Sequence, residues 1–95
     1  MPRKLKKAEK RRRMKGARIL EVDRIVGRNL KMLRRDSGLR LCDLGDAIGV
    51  AFQQIQKYEA GQNRISAGRL WTLAGVLGCP VRDFFNGLPR GEGQK

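Results

Sequence analysis

Three glutamines, Gln53, Gln54 and Gln56, open the stretch FQQIQKYEAGQNR, with Lys57 directly after them. A glutamine amide carries a donor and an acceptor side by side, the pair that matches the N6 and N7 edge of adenine in a major groove. A neutral amide also discriminates between bases, whereas a lysine in its place mostly strengthens attraction to phosphate at any sequence. At about 100° per residue on a helix, Ile55 and Tyr58 turn inward, with Glu59 near them. Gln53 and Lys57 then point the opposite way, Gln56 and Ala60 lie alongside, and Gln54 stands on one flank. Gln53, Gln54, Gln56 and Lys57 are therefore candidate base-reading residues. Phe52 has two readings: it braces the helix against a core, or it offers apolar contact to a thymine methyl. A polar face that is merely solvated is the plain alternative for the whole set.

The setting favours a polyanionic partner. The chain has 95 residues, enough for one small domain. Its formal net charge is +13 and its sequence pI about 11.1, which points to nucleic acid first and an anionic membrane surface second. Aromatic residues are 5% of the chain, too few for a single-strand binder that stacks base after base. Histidine is absent, which excludes imidazole acid–base chemistry and histidine ligation of a metal. Ser37 and Ser66 fall at helix ends, where structural roles suffice, so no catalytic residue, metal site or cofactor is implied. Cys42 and Cys79 are far apart with no CxxC spacing, and their apolar neighbours predict two small buried hydrophobes in a reducing compartment. The basic N-terminus is not followed by an apolar signal-peptide core. No run approaches the roughly 20 apolar residues of a membrane span. The expectation is a soluble cytoplasmic protein, associated with the nucleoid and not with a membrane.

The elements that must position these residues follow from charge and periodicity. Residues 1–18 hold ten Lys or Arg against Glu9, a net of +9 that leaves +4 for the remainder. Such a block repels itself and buries little, which predicts a disordered basic arm. Residues 19–86 are expected to form the domain and 87–95 a flexible tail. Val22, Ile25, Val26, Leu30 and Leu33 form the apolar stripe of a first helix, capped by Asp23 and ended by Gly38. A second helix carries Leu41, Leu44 and Ile48 and stops at Gly49. A third runs from near Phe52 to Gly61. Ser66 caps a fourth, with Leu70, Leu73, Ala74 and Leu77 inward and Gly78 as its stop. Pro80 suits the first turn of a short fifth helix bearing Val81, Phe84 and Phe85. No stretch alternates long enough to be a strand, so the fold class is all-α with five helices.

Only Gly49, Val50 and Ala51 join the second and third helices, and a short glycine-containing turn between short helices marks a helix-turn-helix. Residues 24–85 resemble the Cro and phage-repressor class, the XRE family of bacterial regulators. The resemblance runs through VGRNLKMLRRDSGL, LGDAIGVAFQQIQKYEAGQNRI and SAGRLWTLAGVLGCPV. It implies a five-helix, lambda-repressor-like DNA-binding domain, a homodimer on a palindromic operator, acting as a transcriptional repressor. In this resemblance the loop GQNR lies against phosphates, with Asn63 and Arg64 as donors and Arg28 and Arg40 as further phosphate-binding candidates. It also pairs Arg34 with Glu59 as a structural ion pair that holds the third helix at a fixed angle. The chain departs from the family where Arg40 and Leu41 replace a capping Ser or Thr and a glutamine, where Ala51 replaces a cap, and where Gly45 replaces Ala. Each lost cap predicts about 1 kcal/mol less helix stability. An antitoxin that binds DNA and a toxin protein, or an RNA- or ribosome-associated basic module, are the alternative readings.

Overall fold

The computed structural model describes residues 21–89, and the basic arm 1–18 lies outside them. The described chain is all-helical, with no strand among the described residues. The first helix, α1, is helical at every described position from 21 to 36. Asp23 lies inside it and so is not its cap; its carboxylate faces Arg64 instead, at 3.6 Å. The helix closes in a left-handed turn at Gly38, φ +74°, where the Leu39 N–H donates to the Arg34 carbonyl at 3.1 Å.

The start of α2, Leu41–Ile48, is not left bare by the missing Ser or Thr. Asp43, three residues in, accepts the Arg40 backbone N–H at 2.9 Å, and its two oxygens accept the Arg40 guanidinium at 3.2 Å each. An acid at this position satisfies an orphan backbone donor from inside the helix, the reverse half of a capping box. Gly49 caps the other end at φ +79°. The turn then folds back tightly: the Val50 N–H donates to the Gly45 carbonyl at 2.9 Å, and a β-carbon on Gly45 would lie 2.6 Å from the Val50 carbonyl oxygen. Glycine at 45 is therefore what lets this turn close.

α3 spans Phe52–Glu59, with Ala51 making no side-chain cap, and Ala60 already stands at its C-cap, one residue before Gly61. α4 spans Ala67–Leu77; the Ser66 hydroxyl accepts the Arg69 N–H at 3.1 Å, and Gly78 ends the helix at φ +68°. The fifth element is a correction to the expected α-helix. Val81–Phe85 is a 3-10 helix, and Pro80 is its N-cap residue and not part of its first turn. At three residues per turn, Val81 and Phe84 fall on one side while Phe85 turns away. Phe84 is accordingly fully buried and Phe85 is 39% exposed.

Each of the five elements sends one fully buried side chain to a common centre: Leu30, Leu44, Ile55, Leu73 and Phe84. Burying such a side chain stabilises the fold by roughly 1.5–3 kcal/mol. Asn29 ties the last element to the first, its amide donating to the Phe84 and Asn86 carbonyls at 2.7 and 2.8 Å. The cysteines differ from expectation. Cys42 is exposed on α2, and Cys79 is half-buried, its thiol pKa pushed up by burial and by the Asp83 carboxylate. No described helix is long and apolar enough to cross a membrane.

Candidate nucleic-acid interface

The position of α3 is set by α1 at backbone level. A β-carbon on Gly27 would collide with the Tyr58 carbonyl oxygen and lie 2.9 Å from that of Glu59, so the glycine allows the two helices to touch. Two turns further along α1, Arg34 meets the end of α3. Its Nε donates to one Glu59 oxygen at 2.6 Å and its Nη2 to the other at 3.1 Å, while Nη1 donates to the Leu39 carbonyl at 2.8 Å. The two side chains are only 9% and 7% exposed. A bidentate pair this dry fixes both distance and angle. It anchors α3 to α1 and to the turn that follows α1.

With Ile55 and Tyr58 buried beneath it, α3 presents Gln53, Gln56 and Lys57 to solvent. These three line a groove whose other wall is Lys31 and Arg35 of α1. The groove thus has amide donors and acceptors on one side and fixed positive charge on the other. Its only carboxylate, Glu59, is already neutralised by Arg34. A surface of this kind can attract a polyanion and hydrogen-bond to groups that project from it.

The remaining sequence-derived candidates surround this groove at different distances. Gln54 is half-buried and turns away from it, its amide donating to Asn63 Oδ1 at 3.4 Å, which links α3 to the loop after it. Phe52 is 44% exposed at the start of α3 and is not a core brace. Arg40 is 78% exposed and held by Asp43; the hydrogen bonds and charge of Asp43 raise its pKa further, and Arg40 in turn holds the Asp43 carboxyl below the usual carboxylate range. Arg64, 62% exposed, lies on the Asp23 side of the loop. Arg28 lines a separate hollow with Arg24 and the end of α3.

Lys31 and Arg35 were not singled out by the sequence reading. The signal was there in the spacing Arg24, Arg28, Lys31, Arg35, a basic stripe at intervals of four, three and four on the polar side of α1. Which part of that stripe would face α3 depends on the Gly27 contact, and that is tertiary information.

Residues 30–84 match the helix-turn-helix family. An uncharacterised HTH-type transcriptional regulator of Sinorhizobium fredii is 44% identical over 75 residues, covering 79% of this chain and 52% of that protein. An uncharacterised transcriptional regulator in the ATPase CF(0) region of Rhodospirillum rubrum is 47% identical over 74 residues, covering 78% of this chain and 68% of its own length. The crystal structure of the clp gene regulator ClgR from C. glutamicum superposes with a TM-score of 0.64 at 27% identity, over 66% of this chain and 82% of that one. The chain spans about half the length of the Sinorhizobium relative. With a matching family model over the turn and its two helices, and relatives of this identity, the chain belongs to the XRE-type helix-turn-helix family.

Proposed function

We propose that the chain binds double-stranded DNA at specific sequences and regulates transcription, acting as a homodimeric repressor on a palindromic operator. The observation that carries this reading is the groove: Gln53, Gln56 and Lys57 stand exposed on a helix locked in place by the Arg34–Glu59 pair, opposite Lys31 and Arg35. In this reading α3 enters the major groove, with Gln53 and Gln56 bonding to base edges and Lys57 beside them. Phe52, exposed at the entry of α3, contacts a thymine methyl. Gln54 reads at the flank and holds Asn63 against the backbone, with Arg64 beyond it. Arg40, Arg28, Lys31 and Arg35 donate to phosphates. The relatives' description as transcriptional regulators supports the regulatory half of the proposal. The chain's +13 charge supplies attraction that is independent of sequence.

The test is selection of binding sites from random duplexes, followed by competition against structured RNA at physiological salt. The expected outcome is a palindromic consensus, since the spacing of half-sites mirrors a protein two-fold axis. Recovery of no consensus, or RNA outcompeting every selected duplex, rejects the reading.

A further inference from the structure

The outer face of α4 bears the chain's one tryptophan in an unusual position. Trp71 is 76% exposed, more than any other large apolar side chain described. Along the same helix face stand Gly68 and Gly75, three residues before it and four after. A glycine inside a helix is unfavourable against alanine, and no packing among the described residues accounts for it here: a β-carbon at either position meets nothing within 4 Å. Beside Gly75, the residues Ala74, Cys79, Pro80 and Val81 complete a shallow apolar hollow that Trp71 borders. One surface therefore carries both a projecting indole and a hollow with a glycine floor.

We infer that this face joins two copies of the chain, the Trp71 indole of each seated in the Gly75–Val81 hollow of the other. A two-fold interface uses the same patch on both partners, so the patch must be complementary to itself, and a knob bordering its own hole meets that requirement. Charge also selects a second copy. No residue that lines the hollow is acidic or basic, on a chain of net charge +13. Two such chains repel over most of their surface and meet without repulsion here, whereas an acidic partner would be drawn to the basic surfaces instead. The missing β-carbons let the partner's aromatic ring approach the α4 backbone. The patch shares no residue with the α1–α3 groove, so pairing leaves that groove open. The inference names the surface for the homodimer proposed above and uses no DNA contact.

The experiment is sedimentation equilibrium of the full chain without DNA, from low to several hundred micromolar, with tryptophan emission recorded on the same samples. Failure of the DNA-binding reading leaves its outcome unaffected, because no nucleic acid is present. Expected is a doubling of mass with a parallel shift of emission to shorter wavelength, reported by Trp71 alone. Trp71→Ala should raise the dimer dissociation constant at least about ten-fold, as loss of a central aromatic anchor does. Gly75→Glu, which keeps the reporter and favours helix, should leave the emission at its water-exposed position over the same range. Circular dichroism should show both variants as helical as the parent, since neither side chain packs in the core. A monomeric mass with unshifted emission throughout, or a dimer that either variant leaves at parental affinity, overturns the proposal.

Discussion

Gln53 and Lys57 share the groove-lining face of α3, and their chemistries predict different losses. An amide bonded to a base edge contributes to one sequence, while an ammonium near the backbone contributes to all of them. Gln53→Ala is therefore predicted to cost about 1–3 kcal/mol at the selected site and to relax preference at one base pair per half-site. Measured affinities for a panel of single-base variants check this; a uniform loss across the panel would remove Gln53 from the base-reading set. The Arg34–Glu59 pair makes a prediction of another kind. Its side chains are nearly dry, so deleting one partner strands a charge. Glu59→Ala should destabilise the fold by about 3–5 kcal/mol, and replacing both partners with well-packed apolar residues should hurt less than either single change. Urea unfolding of the three variants decides it, and a Glu59→Ala midpoint equal to that of the parent contradicts the argument.

At the scale of the element, α2 is the informative one, because its sequence breaks the usual rules at its start and in its middle. Gly45 is a poor helix former in the middle of an eight-residue helix, yet a β-carbon there would press on the Val50 carbonyl at 2.6 Å. Gly45→Ala improves helix propensity by about 1 kcal/mol but forces the turn to shift. Overpacking of this sort typically costs about 1–3 kcal/mol, so a net loss of stability is expected. A Gly45→Ala variant that melts higher than the parent would show that the turn yields freely. The start of α2 depends on pH. Hydrogen bonds from the Arg40 guanidinium and then the Arg40 N–H hold the folded Asp43 pKa below its ordinary value. The stabilisation is thus fully present above the unfolded pKa of about 3.9 and is lost as pH falls through the lower folded value. Asp43→Ala should melt below the parent at neutral pH, and the gap should close as the pH is taken down past that window. A gap that stays constant down the acid limb would assign the loss to something other than the carboxylate.

For the whole molecule, the distribution of charge gives the strongest prediction. Residues 1–18, proposed here as a DNA-binding arm, hold +9 of the net +13. Each phosphate neutralised adds about 0.9 to the slope of log affinity against log salt. If about half of the ten cations engage phosphates, deleting the arm should flatten that slope by about four or five units, by the same relation. Discrimination between selected and random duplexes should survive, because the amide face of α3 stays in place. Preference changing only at base pairs flanking the half-sites would mean that the arm reads the minor groove. Equal slopes for the full-length and shortened chains would leave the arm without a DNA contact.

Much of this architecture could be read from local chemistry. The spacing of Val22, Val26 and Leu30, the hydroxyl of Ser66 and the glycines at 49 and 78 each act within a few residues of themselves, so the order of the helices follows from them. Likewise, helical period alone turns Gln53, Gln56 and Lys57 away from Ile55 and Tyr58. Other features depend on residues that meet only after folding. Gly45 reads as a weakness until the Val50 carbonyl is seen above it. Arg40 reads as a lost cap until Asp43 reaches back to it. Lys31 and Arg35 become a groove wall only because Gly27 lets α1 touch the end of α3. Phe84 and Phe85, adjacent and chemically identical, separate into core and surface because the last element is a 3-10 helix. Periodicity assigns a side chain to a face of its own helix, but which neighbour covers that face is decided by close packing across the chain, where a single β-carbon is enough to forbid a contact.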